Sequence, residues 1–407
     1  MRIIEKIVDL ETLTTFKSDD LDNSSPVELS KYRKNATKSK REGRVKYVCE
    51  KCGFPVYLSN SKNKLYHWKH FSDHTNFCEW YTGKTKTPEK VSAEQYMGKH
   101  ESDLHKKLKW QIKECLDNDP SFFDVVVEQY IISPNGKRKP DVQAKIGDKK
   151  IAFEIQLSHT MLPTIVDREK FYYDEKMNLV WVLWNFNKKP LLEVKQAFLD
   201  IAVTQKFNFF YIDRDLLIKS INERRFWLKA ACYFAGTWKE DIITVSDLCY
   251  DNGLPYYKDR YENFMKTLVQ WHEKYAKPRK PLHFNLPHEI KNHFYKLFDA
   301  LGVSCLNGDK EMRKLIRLLY CVLSLKKNRV LGSGEKEIAH MFNNALDHYG
   351  EFVIVLEEYA KQTGFFNLLN RETTINKISE AKNKFNYDCE FTKLSRKIIH
   401  ELLPLNK

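Results

Sequence analysis

The chain contains no apolar run long enough to cross a bilayer, which argues against a helical membrane protein. Glu5, Lys6 and Asp9 interrupt the apolar start at Ile3 and Ile4, so no signal-peptide core forms, and a soluble cytoplasmic protein is expected. Nine cysteines in 407 residues are too few and too unevenly spaced for a disulfide framework. That argues against a cross-linked secreted scaffold and for a reducing compartment. Internal repeats and low-complexity tracts are also missing, which excludes a repeat array or a disordered tail. Acidic residues are in short supply: 54 against 68 basic ones give a net charge of +14. Such a surface attracts polyanions, nucleic acid first among them, because each lysine or arginine set against a phosphate releases counterions.

What is present suits a globular protein of two or three domains. Hydrophobic residues make up 42% of the chain, enough to bury substantial cores. Residues 1–90 read as an N-terminal region, opening with a short strand over Arg2 to Leu10 and a loop over Ser18 to Ser25. A basic run follows, containing Lys31, Arg33, Lys34, Lys38, Lys40, Arg41, Arg44 and Lys46, and suits a solvated face and a phosphate contact equally. Residues 91–213 alternate helix and strand. The spacing predicts a helix over Val91 to Asp117, with Glu101 facing inward and Leu104, Leu108, Ile112 and Cys115 on one stripe. Strands are expected over Phe122 to Ser133, Pro140 to Ile146 and Ile151 to Ser158, then a helix over His159 to Lys176 and a buried strand over Asn178 to Phe186. A helix over Leu191 to Thr204 and a strand over Phe207 to Ile212 extend the same mixed sheet. Residues 214–276 read as a helical extension, and Ala276 to Pro287, with three prolines, as a linker into a helical domain over 277–407. Met312 to Leu325 and Phe352 to Thr363 are its best-patterned helices.

Two constellations carry chemistry. Cys49 and Cys52 form a CxxC knuckle, and His67, His70, His74 and Cys78 follow within some thirty residues. Thiolate and imidazole are the ligands that close a tetrahedron around zinc, and the expected set is Cys49, Cys52, His70 and Cys78, with His74 the alternative to His70. Four such ligands leave no open position, so this zinc is expected to be structural, supplying folding energy to a module with little core. The second constellation is acidic. Glu154 and Gln156 share one face of a strand by the alternation of strand side chains. If Gly147 to Lys150 closes as a two-residue turn, Asp141 sits opposite Gln156 and diagonal to Glu154. Two carboxylates so placed can share a hard cation, magnesium or manganese, which would polarise a phosphate, and Glu101 could reach the same ion from the preceding helix. His105 lies one turn further along that face.

In their order these motifs resemble the CoiA-like competence nuclease family, within the PD-(D/E)xK restriction-endonuclease-like superfamily. The resemblance rests on Tyr47-Val48-Cys49 with Cys52, Trp68-Lys69-His70 with Cys78, Glu101-Ser102 with His105, Arg138-Lys139-Pro140-Asp141-Val142, and Glu154-Ile155-Gln156-Leu157-Ser158. Arg168, Tyr172 and Val180-Trp181-Val182-Leu183 complete it, so that it covers roughly Val45 to Phe186. It implies a three-layer α/β/α core, a metal held by Asp141 and Glu154, and DNA as substrate. Where the superfamily commonly has lysine, this chain has Gln156, which can hydrogen-bond water or phosphate but carries no charge. The expectation is therefore a magnesium-dependent deoxyribonuclease, with Glu101, Asp141, Glu154 and Gln156 as its catalytic residues, serving defence against invading DNA or the handling of incoming DNA. A zinc-stabilised nucleic-acid-binding or adaptor protein without cleavage is the second expectation. The C-terminal helices could dock a partner protein in either case.

Overall fold

A serine, a proline and a glutamate start the first long helix. The computed structural model describes residues 4–12, 14–61, 65–71, 78, 80, 103–157, 160, 162–278, 280–302 and 309–404. Two short strands, β1 (Lys6–Asp9) and β2 (Thr14–Lys17), precede helix α1 (Pro26–Arg41). Ser25 caps α1 by accepting from the Glu28 N–H at 3.1 Å, while Glu28 accepts in return from the Ser25 N–H, and Pro26 occupies a first-turn position where no N–H is needed. The basic run from Lys31 to Arg41 is thus the body of a helix, started by a capping box that is legible in Ser25-Pro26-Val27-Glu28, and Arg44 and Lys46 lie beyond its end. Strand β3 (Tyr47–Cys49) pairs with β1, and β4 (Val56–Asn60) forms a hairpin with β5 (Tyr66–His70).

The central feature is a seven-stranded sheet in the order β14-β13-β12-β11-β10-β9-β6. Helix α2 (Asp103–Asn118) leads into β6 (Phe122–Val127), the small hairpin β7 (Ile131–Ser133) and β8 (Gly136–Arg138), then β9 (Val142–Ile146) and β10 (Lys149–Gln156). The single strand expected over Phe122 to Ser133 is therefore broken, because Glu128 takes a left-handed φ of 53° and turns the chain out of the sheet. Helix α3 (Leu162–Asp174) crosses to β11 (Asn178–Trp184), and α4 (Gln196–Ala202) to β12 (Asn208–Ile212). These are the crossovers that the two parallel pairings, β10 with β11 and β11 with β12, require. The remaining pairings in the sheet are antiparallel.

Residues 214–276 correct the expectation of a helical extension. After α5 (Arg214–Asn222) come β13 (Trp227–Phe234) and β14 (Thr237–Thr244), which complete the sheet, and a hairpin of β15 (Cys249–Asp251) with β16 (Leu254–Tyr256). The alanines and cysteine of β13 gave little alternation because the strand is largely buried. Ala235 and Gly236, both at positive φ, make the two-residue turn into β14.

Alternating side chains divide the sheet between two cores. Ile151, Phe153, Ile155, Val180 and Val182 pack with Leu108, Ile112, Cys115 and Leu116 of α2 and Leu216 and Leu217 of α5. On the other face Ala152, Leu179, Trp181 and Leu183 pack with Ile165, Phe171 and Tyr172 of α3 and Phe198 of α4. Each such fully buried aliphatic or aromatic side chain contributes about 1.5–3 kcal/mol of apolar transfer. The second core continues into the C-terminal helices α6 (Arg260–Tyr275), α7 (His288–Ala300), α8 (Asp309–Lys327), α9 (Ile338–His348), α10 (Val353–Gln362), α11 (Phe366–Leu369), α12 (Glu372–Lys384) and α13 (Glu390–Leu402). The proline-rich stretch expected as a linker is packed into it: Leu282, His283 and Leu286 are buried, and the Leu282 N–H bonds the Gly332 carbonyl at 3.1 Å. Among the described residues no helix is long and apolar enough to cross a membrane.

Candidate active site and metal centre

Two local devices, a knuckle and a hairpin, bring three members of the N-terminal cluster together. Gly53, at φ +69°, closes the CxxC knuckle by donating its N–H to the Cys49 carbonyl at 2.8 Å, while the Cys49 N–H bonds the Phe54 carbonyl at 2.9 Å. The β4–β5 hairpin carries His70 to its end, opposite Val56, and Cys52 Sγ lies 3.3 Å from His70 Nε2. Cys78 completes the group: the ligand atoms of Cys49, Cys52, His70 and Cys78 all lie within 4.8 Å of one another. Burial pushes the Cys49 thiol up to about 12, against the lowering effect of the Cys52 and Lys51 backbone N–H groups. Three thiols and an imidazole so gathered could hold a structural zinc. His74, the alternative ligand, lies outside the described residues.

The acidic constellation sits where β9 begins and β10 ends, beside α2 and α3. The hairpin turn is Gly147-Asp148, so Lys149 pairs with Ile146 and Phe153 with Val142. This corrects the expected register by two residues. One step beyond the last rung Asp141 faces Glu154, not Gln156, and directly opposed positions bring Cβ atoms closer than diagonal ones. Asp141 Oδ2 accepts from the Ile155 N–H at 2.8 Å and lies 3.2 Å from His105 Nε2, which in turn is 3.1 Å from the Ile155 carbonyl oxygen. Burial favours the neutral Asp141 carboxyl, but His105, the Ile155 N–H and the Arg168 charge together hold it below the usual carboxylate range.

Glu154 is buried on β10, with both oxygens engaged. Arg168 Nη1 donates to Oε2 at 2.8 Å and the Tyr172 hydroxyl to Oε1 at 2.5 Å. Arg168 and Tyr172 are one turn apart on α3, so a single helix face supplies both donors. Burial pushes the Glu154 carboxyl up to about 7; Arg168 and Tyr172 pull it down, and the nearby Asp141 charge raises it further. The guanidinium also lies 5.7 Å from the centre of the Trp181 ring, and the carboxylates of Glu154 and Asp141 lift its pKa against the effect of burial. Gln156, also buried, accepts from the Thr160 hydroxyl at 2.7 Å. Glu101 lies outside the described residues.

The groups of three or more metal-ligating side chains found among the described residues are the zinc-type cluster and Glu28 with Glu358 and His400. Asp141 and Glu154 instead form a pair that shares the field of Arg168 and His105. The second of those groups already holds Arg396, bonded to Glu358 at 3.0 Å, so a cation occupies its centre.

The comparisons divide the chain the same way as the two sites. A domain of unknown function (DUF7830) matches residues 14–85, and another (DUF6035) matches residues 89–266. The first span contains Cys49, Cys52, His70 and Cys78; the second contains Asp141, Glu154, Gln156 and Arg168. No curated protein and no solved structure matches the chain.

Sequence reasoning overlooked two residues beside this site. Lys109, one turn after His105, is buried and ion-paired with Glu128, whose other oxygen lies 3.3 Å from Lys139 Nζ. The Glu128 N–H reaches the Asp141 carbonyl at 3.3 Å, which ties this pair to the site. A lysine on the apolar stripe of α2, one turn from His105, was the available signal.

Proposed function

We propose that this protein is a metal-dependent nuclease that hydrolyses phosphodiester bonds of DNA. The observation that supports it is the opposition of Asp141 and Glu154 at the open end of a hairpin, with Arg168 and His105 beside them. The residues that would hold the cation are Asp141 and Glu154, with the Ile155 carbonyl, and oxygen donors of this kind suit magnesium or manganese. His105 Nε2, shared between Asp141 Oδ2 and the Ile155 carbonyl, marks where two of those oxygens converge. Such a cation, when bound, supplies Lewis-acid stabilisation of the phosphate charge that grows during hydrolysis.

The protein's own groups do the rest. Arg168, 30% exposed, supplies the fixed positive charge that Gln156 lacks, and can turn a free edge of its fork toward a phosphate oxygen. Gln156, held by Thr160, would orient water or phosphate by hydrogen bonding. We read the helices on both faces of the sheet as a restriction-endonuclease-like three-layer core, in keeping with the resemblance to CoiA-like nucleases. A structural zinc at Cys49, Cys52, His70 and Cys78 would brace the N-terminal module, and a cytoplasmic role in defence or DNA handling fits the net charge of +14. Glu101 remains the proposed third acidic residue.

A second reading is favoured by the two protein donors already seated on Glu154: a nucleic-acid-binding or adaptor protein that does not cleave. One assay separates them. Linear, circular and single-stranded DNA and RNA are incubated with and without magnesium or manganese, with Asp141→Ala and Glu154→Ala as controls whose fold is checked by circular dichroism. Metal-dependent cleavage of DNA that both variants lose is the expected result. Cleavage that survives in both variants, or salt-sensitive binding with no cleavage and no metal uptake, would overturn the nuclease reading.

A further inference from the structure

The basic run of α1 is split by the fold into two functions. Arg33 and Lys34 face the sheet domain, where Arg33 Nε lies 3.0 Å from Asp200 Oδ1 and Lys34 Nζ lies 2.8 Å from Glu169 Oε1. Lys31 and Lys38 lie along a cavity of about 440 Å³ that is also lined by Lys34, by Lys206 after α4 and by Lys326 near the end of α8. Three carboxylates share the lining; Asp259 and Asp251 share one lysine, and Glu262 has another. Lys206 Nζ lies 3.0 Å from Asp259 and 4.0 Å from Asp251, and Lys327 lies 3.3 Å from Glu262. Lys326 donates to a neutral partner, the Pro404 carbonyl, at 2.9 Å. Lysines therefore outnumber carboxylates five to three in the lining, with Lys206 and Lys34 already ion-paired and Lys38 3.9 Å from Glu42.

Like charges in a confined, poorly solvated space repel strongly. Burial first, and then the Lys326 charge, bring Lys31 down to about 7, although Asp259, Glu28 and Glu401 pull the other way. Burial and Lys327 bring Lys326 down to about 8. A polyanion would relieve this repulsion. Phe207, Tyr261 and Met265 line the same cavity and give it an apolar wall. Lysines and aromatic side chains lining one space of ligand-pocket size are what a phosphorylated aromatic molecule needs.

We infer that this cavity binds a nucleoside polyphosphate, its phosphates among Lys31, Lys38, Lys206 and Lys326 and its base against Phe207 and Tyr261. The site joins α1, the sheet domain and the C-terminal helices, so occupancy would tighten all three against one another. It owes nothing to the nuclease reading.

The test uses the full chain, in the absence of divalent metal, with ATP and pyrophosphate as probes and sodium sulfate at matched ionic strength as control. ATP is expected to bind saturably and raise the melting temperature, about ten-fold tighter than pyrophosphate because of the apolar wall, with sulfate inert. Lys31→Gln/Lys326→Gln should lose the shift, whereas Lys188→Gln, outside this cavity, should keep it. Calorimetry of the wild-type chain at pH 8, in buffers of different ionisation enthalpy, should show uptake of about one proton as the lysines regain charge beside phosphate. That readout stands even if the double variant does not fold. Equal affinity for ATP and pyrophosphate would overturn the nucleoside assignment. Absence of saturable binding by both probes, or an undiminished shift in a folded double variant, would overturn the site itself.

Discussion

His400 Nδ1 and Glu28 Oε1 lie 2.8 Å apart, both buried, and join the last long helix of the chain to the first. Glu358 and Arg396 close the cluster: His400 Nε2 is 3.3 Å from Glu358 Oε2, and Arg396 grips Glu358 through Nε and Nη2 at 3.1 and 3.0 Å. Burial opposes the imidazolium, but Glu28 and Glu358 outweigh it and raise His400 to about 9. Burial likewise opposes the two carboxylates, yet His400 and Arg396 hold both below their ordinary range.

The pH dependence of stability follows from these directions. A histidine raised on folding contributes stability below its unfolded pKa of about 6.5, and that contribution is lost as pH rises through about 9. The depressed carboxylates contribute above their unfolded value and lose it only in strong acid. Melting temperature should therefore peak between mildly acidic and neutral pH and fall toward pH 9 and above, and His400→Gln should flatten the alkaline limb. A melting temperature in the wild type that is unchanged from neutral pH to pH 10 would contradict it.

Arg396→Met should cost about 3–5 kcal/mol in urea unfolding, since it leaves two buried carboxylates with one cation. The loss should be largest at neutral pH, where both carboxylates are ionised, and smaller in acid.

At the candidate active site, Arg168→Gln removes the cation from a carboxylate that is fully buried, and a loss of about 3 kcal/mol is expected. Arg168→Lys should recover part of the stability, since the charge returns without the planar fork. Under the proposed function, cleavage should fall in both variants, further in the glutamine one. Full activity in Arg168→Gln would remove Arg168 from the proposed machinery.

For the metal centre, elemental analysis of the purified chain should find about one zinc per molecule. Cys49→Ser and Cys78→Ser should each lose it and lower the melting temperature, and a strong chelator should do the same to the wild type. Full zinc content in Cys78→Ser would exclude Cys78 as a ligand.

The β13–β14 turn makes two neighbouring substitutions differ in sign. Ala235 stands at φ +50°, where an L side chain is strained, so Ala235→Gly should stabilise by about 0.5–1 kcal/mol. Gly236→Ala should destabilise by about 1–3 kcal/mol: its Cβ would meet the Ala300 carbonyl oxygen at 2.8 Å, at φ +74°. Thermal unfolding of the two variants gives the signs directly.

Local chemistry was legible in the residues alone. The CxxC spacing with His70 and Cys78 named a metal-ligand set that the fold gathers, because three of its members depend on a knuckle and a hairpin formed by neighbours in sequence. The alternation of β10 placed Glu154 and Gln156 on one face, and apolar periodicity located α2, α8 and α10, since both patterns are properties of a single strand or helix. What lay beyond reach depends on partners far along the chain. The register that faces Asp141 with Glu154 was set by which two residues of Gly147 to Lys150 make the turn. Strand β13 looked unpatterned because neighbours cover it on both faces, while β14 is the largely exposed edge strand beside it. The proline-rich stretch became core because Gly332 accepts its backbone N–H. In the basic run, Arg33 and Lys34 became ion-pair partners of the sheet domain and Lys31 and Lys38 cavity lining, because Asp200, Glu169 and Lys326 meet them only in the folded chain. Spacing along the backbone determines which face a side chain takes, but burial and charge balance across elements decide what it meets there, and those are long-range properties of the packed molecule.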